Sequence, residues 1–238
     1  MFIPIGDDNS KRHLKPLVVW LIFAANVYVW YLQFSVGETF TYGFSAVPYE
    51  LMHATDLVGQ QVVIIEGKRQ VLHQAPGPSP IYLTLLSSMF MHGSWMHIIG
   101  NMAYLLIFAD QIEDLLGHVK FLFFYLLCGL AASVAHVAAD PNSTIPCLGA
   151  SGAIAGVLGA YLLMYPRNHV HLLVFHRVML VPSYIVLGGW IFLQLLSQVS
   201  VKSGGSGVAY MAHIGGFAAG AILILLFKHR ERRLGHLV

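Results

Sequence analysis

One hydroxyl sits among small residues in Cys147-Leu148-Gly149-Ala150-Ser151-Gly152-Ala153-Ile154-Ala155-Gly156. A serine hydroxyl becomes a nucleophile only when a base takes its proton. Nothing beside Ser151 in sequence can do that, and a lone serine in an apolar helix is most often packing material. Two other stretches change the reading. His97 and Asn101 stand four apart in a second apolar run, so they share one side of a helix. His213 stands in a third, followed by Gly216 and Gly220 at three and seven residues, on the same face. A neutral imidazole accepts a proton near pH 7, which makes His213 the candidate base. The oxyanion formed by attack on a carbonyl needs fixed donors, and the Ser151 N–H, the Asn101 amide and His97 can supply them. No acidic residue lies at the matching ends of these runs, so the expected unit is a Ser–His dyad rather than a triad.

The elements that must position these groups are membrane helices. Of 238 residues, 57% are hydrophobic and 10% charged, where a soluble domain carries about a quarter charged residues. A net charge of +2 gives no case for nucleic acid as a partner; the lipid bilayer is the expected surroundings. Cys128 and Cys147 both fall in or beside apolar runs and read as packing residues, not as a disulfide framework.

Six apolar runs are expected to be helices: Leu17 to Val36, Ile81 to Ala109, His118 to Ala138, 148–165, Met179 to Val199 and Val208 to Phe227. An all-α, six-span bundle over 17–227 follows, with a cytoplasmic segment at 1–16 and a basic cytoplasmic tail at 228–238. Basic residues before an apolar run also suit a signal peptide. The first run is too long for one and lacks a small-residue cleavage site, so it is read as an uncleaved helix. Residues 37–80 are mixed, end in Pro76-Gly77-Pro78-Ser79-Pro80, and are read as an external loop with short structured pieces. Asp110, Glu113 and Asp114 are read as a polar turn up to Gly117, with Glu113 capping that turn. Arg167 to Arg177 is read as a short polar connection.

Six spans put both termini on one side. With that side cytoplasmic, Lys and Arg divide ten inside against three outside, Lys68, Arg69 and Lys202. Ser151 and His213 then lie near the outer ends of the fourth and sixth runs. Gly216 and Gly220 give the sixth run a small-residue face that includes His213, and Gly152, Gly156, Gly159 and Ala160 give the fourth a matching one. Such faces let two backbones approach closely.

Other uses of these groups are weaker. His92, one turn before His97, is a candidate supporting residue. A metal site built from His92, His97 and His213 lacks a carboxylate or thiolate at ligand spacing, so no metal is expected. No repeat and no inverted pair of halves supports a transporter.

Taken together, Gly149-Ala150-Ser151-Gly152, His97 with Asn101 and Met102, and Ala212-His213-Ile214-Gly215-Gly216-Phe217-Ala218-Ala219-Gly220 resemble the rhomboid intramembrane serine proteases. Phe90-Met91-His92-Gly93-Ser94-Trp95 is also similar to the family's run before its oxyanion histidine. The likeness runs from about Ser87 to Phe227. It implies Ser151 as nucleophile, His213 as base, His97 and Asn101 in the oxyanion hole, and no cofactor. It implies single-span transmembrane proteins as substrates, cut near the outer face. It also implies that the fifth helix is a lateral gate and 201–207 a cap over the site. The compartment it suggests is a bacterial inner membrane. The small residues Gly149, Ala150, Gly152 and Ala153 around Ser151 suggest cleavage after a small side chain. Two departures stand out. Many members carry a Trp-Arg pair in the loop after the first helix, and residues 37–80 contain no tryptophan. Several members carry an aromatic four residues after the serine, where this chain has Ala155; Tyr161 or Tyr104 is the expected substitute against His213. The alternative within the family is a catalytically silent relative that binds transmembrane helices. Nothing in the sequence sets the oligomeric state.

Overall fold

The computed structural model describes residues 2–10, 12–65, 67–200 and 208–234, with side chains at 2 and 229–234 left aside. Lys11, Glu66, the 201–207 loop read as a cap, and 235–238 of the tail lie outside the described residues. In chain order the elements are β1 (Phe2–Asp7), α1 (Leu17–Val36), α2 (Glu38–Phe44), α3 (Pro48–His53), β2 (Gly59–Ile65), β3 (Lys68–Gln74) and α4 (Thr84–Ser87), the last flanked by 3-10 turns Ile81–Leu83 and Ser88–Phe90. Then come α5 (Trp95–Leu116), α6 (His118–Ala139), α7 (Ser151–Met164), β4 (His169–Val174), β5 (Arg177–Pro182), α8 (Ser183–Ser200) and α9 (Tyr210–Leu234).

The chain is mostly helical, but the all-α expectation is corrected by two small sheets. β1, β4 and β5 form one antiparallel sheet in that order, so the N-terminal segment is a strand and 167–177 contains most of a hairpin rather than a plain connection. β2 and β3 form a hairpin within 37–80. Alternation explains the first sheet: Val170 and Leu172 point inward while their neighbours in β4 are more exposed.

Among the described residues, four helices are long and apolar enough to cross a membrane: α1, α6, α8 and the Tyr210–Lys228 part of α9. The protein is an integral, multi-pass membrane protein. The other two expected spans differ for physical reasons. The run from Ile81 is not one helix, because the chain leaves the helical path at Met91 and restarts at Trp95. Ser94 makes that restart possible, its hydroxyl accepting from the His97 N–H at 3.2 Å. The helix then continues through Asp110, Glu113 and Asp114 to Leu116, so the expected polar turn is helical and the stop is Gly117, at φ +73°. α7 has only 14 residues, and all ten from Gly152 to Tyr161 are buried, packed against α5, α6 and α9. The fifth helix begins at Ser183, because Met179 to Pro182 belong to β5, and the sixth runs past Phe227 to Leu234.

Glu113 closes the turn beside it as expected, its carbonyl accepting from the Gly117 N–H at 2.7 Å, but its side chain does more. Its buried carboxylate accepts from the N–H groups of Val18 and Val19, each at 2.8 Å, and faces Nδ1 of His118. It therefore caps α1, whose first turn has no acceptors of its own and whose preceding Pro16 offers no side-chain cap. At the same end, Asp114 accepts from the N–H groups of His13 and Leu14, and Arg12 pairs with Asp110. This polar layer ties the N-terminal segment to the end of α5.

The sheet is held by a buried carboxylate. Asp7 accepts from Tyr161 and from Gln111 at 2.7 Å, and Asn168 donates to the Tyr161 oxygen at 2.6 Å. Burial pushes the Asp7 carboxyl up to about 6, helped by the nearby Asp110 and Asp8 carboxylates and opposed by the Tyr161 and Gln111 donors. A carboxyl with a raised pKa in the folded state favours folding when protonated. Docking of β1 should therefore be firmest near pH 4 and weaken as pH rises through about 6. The diagnostic variant is Asp7→Asn, which keeps the size of the side chain and removes its ionisation. Hydrogen exchange of the β1 amides, corrected for intrinsic rates, should show greater protection at pH 5 than at pH 7.5. The variant should remove that difference; an equal difference in the variant would mean that Asp7 is not its source.

Candidate active site

Ser151 is the first residue of α7, at the end of the helix opposite Asp7. Over 14 residues the two ends lie about 20 Å apart. The chain enters α7 through Gly149, whose φ of +134° is a conformation open to glycine and strained for other residues. The approach segment is pinned from outside the helical bundle. Ala46 and Cys147 exchange backbone hydrogen bonds of 3.0 and 2.8 Å, the Gln74 amide donates to the Thr144 carbonyl, and the Gly149 N–H donates to the Ser88 carbonyl at 2.9 Å. Residues 37–80 thus serve in part to hold the segment that delivers Ser151.

α9 meets α7 along the two small-residue faces. A Cβ placed on Gly216 would collide with the Gly152 carbonyl, and one on Gly220 with the Gly156 carbonyl. From the other side, a Cβ on Gly159 would collide with the Phe217 carbonyl. The two backbones therefore touch without side chains between them. That approach brings His213 to Ser151: Nε2 of the imidazole lies 2.8 Å from the hydroxyl oxygen, across 62 residues of sequence.

The other imidazole nitrogen has a partner that the sequence reading did not include. Nδ1 of His213 lies 2.8 Å from the Oε1 atom of Gln194 on α8. An amide oxygen only accepts, so the proton sits on Nδ1 and Nε2 faces Ser151 with its lone pair. Trp190, one turn earlier on α8, packs against the same ring with centroids 5.8 Å apart. It occupies the role expected of Tyr161 or Tyr104. Tyr161 is instead committed to Asp7, and Tyr104 pairs with Phe108. A signal for both residues was available: Trp190 and Gln194 are four apart, and Gln194 is a polar group inside an apolar run.

His97 and Asn101 lie in the first two turns of α5. The Gly93 N–H points at Nδ1 of His97 at 3.4 Å, which leaves the ring proton on Nε2. A Cβ on Gly149 would stand 2.8 Å from His97 Nε2 and 3.5 Å from the Ser151 hydroxyl, so the imidazole edge and the hydroxyl flank one small space. Asn101 is 9% exposed, and its Nδ2 is buried without a hydrogen-bond partner among the described residues. A buried, unused donor is costly unless something fills it. His92 is buried and packs edge to face on His97, with ring centroids 5.0 Å apart. Its backbone is fixed in both directions by Gln33 of α1, through bonds of 2.8 and 3.0 Å. A pocket beside Ser151 is lined by small or flexible groups, among them Met89, Gly129, Ala132, Cys147, Ala153 and Ala212.

Residues 80–230 match the family described as Rhomboid domain. The chain belongs to the rhomboid family. Over 150 residues it is 27% identical to a Bacillus subtilis protein named "Putative rhomboid protease YdcA", covering 63% of this chain and 69% of that one. Over 166 residues it is 30% identical to Rhomboid protein 1, mitochondrial, of Saccharomyces cerevisiae, covering 64% of this chain and 45% of the yeast protein. A third relative, RHOMBOID-like protein 12, mitochondrial, of Arabidopsis thaliana, is 33% identical over 156 residues, 58% of this chain and 44% of its own length. The matched region thus spans less than half of both mitochondrial relatives.

The glycine contacts can be tested through the reactivity of Ser151. Gly216→Ala and Gly220→Ala each place a Cβ in a carbonyl of α7 and must separate the helices, whereas Gly188→Ala on α8 meets nothing within 4 Å. A misplacement of about 1 Å can cost on the order of 10²-fold in rate. The rate of fluorophosphonate labelling should fall by roughly that much in the first two variants and stay unchanged in the third. Equal rates in all three would remove the helix contact from the account.

Proposed function

We propose that this rhomboid is an intramembrane serine endopeptidase that cuts peptide bonds in or near the transmembrane segments of single-span membrane proteins. The observation that carries the reading is the 2.8 Å contact between His213 Nε2 and the Ser151 hydroxyl. In the proposed reaction Ser151 attacks the scissile carbonyl carbon while His213 takes its proton. The oxyanion accepts from His97 Nε2–H, the Asn101 amide and the Ser151 N–H at the start of α7. His213 then gives its proton to the leaving amine, and a water, deprotonated by the same imidazole, releases the acyl group. Gly149 and Gly152 leave room around the hydroxyl, while Gly156, Gly216 and Gly220 fix the helix separation. The small-walled pocket favours a small residue such as alanine before the cut. No step calls for a cofactor.

The membrane arrangement proposed with this chemistry is six spans, with α5 and α7 crossing beside the four longer apolar helices. The basic residues favour both termini in the cytoplasm, 17–227 forming the membrane domain and 1–16 and 228–238 the cytoplasmic ends. In a bacterial host this places the protein in the inner membrane. A silent relative that only binds helices would have no use for an aligned hydroxyl and imidazole beside an unfilled amide donor, so the protease reading is preferred.

Purified protein incubated with single-span substrates should yield two fragments, with Ser151→Ala and His213→Ala reducing turnover to background while leaving the protein folded. Loss of one oxyanion donor, in Asn101→Ala, should cost on the order of 10²–10³ in kcat. Undiminished turnover in either dyad variant would exclude the mechanism. For topology, reporter fusions after residue 238 and within 201–207 should give opposite signals. Matching signals would mean that the number of crossings is wrong.

A further inference from the structure

We propose that Gln194 is a positioning residue for His213, so that the reacting unit is Ser151, His213 and Gln194, held by three different helices. The inference rests on the protease reading and adds to it a third member that the Ser–His dyad lacks. Its basis is geometric. The Gln194 oxygen lies 2.8 Å from His213 Nδ1, while the opposite ring nitrogen lies 2.8 Å from Ser151. Trp190 lies against the ring from the same helix. A group that accepts from Nδ1 sets the tautomer, aims Nε2 at the hydroxyl, and stabilises the imidazolium formed when the serine proton is taken. A glutamine does this without bringing a full negative charge into an apolar bundle, where a carboxylate would be costly.

α8 gives the arrangement a second property. Its buried residues are only Ser183 and Leu187, and Phe192, Leu193, Leu195 and Leu196 around Gln194 are exposed. The base is therefore oriented by a helix whose two buried anchors both lie in its first five residues, away from Gln194. The strand β5 runs directly into α8, so the sheet that contains β1 sets where this helix begins.

The test compares the full-length wild type with Gln194→Leu, Gln194→Glu and the control Gln198→Leu, measuring kcat and KM for a cleaved single-span substrate across pH. His97 of α5 and His136 of α6 are the other titratable groups near His213 and are unchanged in every variant. Gln194→Leu should lower kcat by about 10- to 100-fold, the size expected of one hydrogen bond to a developing charge, with KM nearly constant. Gln194→Glu restores an acceptor and should recover turnover at high pH, with the acid limb of the profile moved upward because a carboxylate stabilises imidazolium. Gln198→Leu should behave as wild type. If Gln194→Leu keeps the wild-type kcat and acid limb, or if Leu and Glu variants lose activity equally with no movement of the limb, Gln194 is not a positioning residue. Wild type that neither cleaves nor takes up fluorophosphonate overturns the protease reading, and this inference with it. Wild type that does both, with an unchanged Leu profile, overturns this inference alone.

Discussion

The contact between the backbones of α7 and α9 is the constraint on which the site depends. In a bilayer, apolar side chains gain little by leaving lipid for protein, so helices associate through close packing and hydrogen bonds. Glycines facing carbonyls at Gly216 with Gly152 and Gly220 with Gly156 allow the closest approach that two helices can make. Only at that separation does an imidazole on one helix reach a hydroxyl on the other directly. A wider spacing would part the Ser151 hydroxyl from Nε2 of His213. The same contact also leaves α7 so enclosed that it need not be long or face lipid, which accounts for a 14-residue helix beside the longer α5, α6, α8 and α9.

Around this contact the polar groups are arranged in two layers, one at each end of α7. At the far end, carboxylates do structural work: Glu113 caps α1, Asp110 pairs with Arg12, and Asp7 binds the N-terminal strand to Tyr161 and Gln111. At the Ser151 end the groups that meet are neutral: a hydroxyl, imidazoles and amides. Charge is kept where the chain leaves the bundle, and neutral donors and acceptors are kept inside it. A dyad backed by an amide fits that division, because it needs no buried carboxylate.

Much of this was legible in the sequence because its signals are local or periodic. The spacing of His97 with Asn101, and of His213 with Gly216 and Gly220, places each set on one helix face, and the structure brings those faces together. The first and third apolar runs match α1 and α6 within a residue. What was not legible depends on distant pairing. β1 becomes a strand only because β4 lies 160-odd residues away to pair with it. Ser94 interrupts an apolar run that hydropathy alone reads as continuous, since a cap is a matter of geometry and not of composition. Glu113 closes its neighbouring turn as its position suggests, but its carboxylate also caps another helix through the N–H groups of Val18 and Val19, which sequence proximity does not show. Gln194 and Trp190 are harder to read, because a residue that orients another carries no reactive group and announces itself only by position.

In the proposed reaction Ser151 is a nucleophile because His213 is held against it. The most direct measurement is to treat the intact protein with a fluorophosphonate and locate the adduct by peptide mass spectrometry, alongside His213→Ala. One dominant adduct is expected, on Ser151, and it is lost when His213 is removed. An adduct on another serine, or equal labelling of Ser151 with and without His213, would contradict this mechanism.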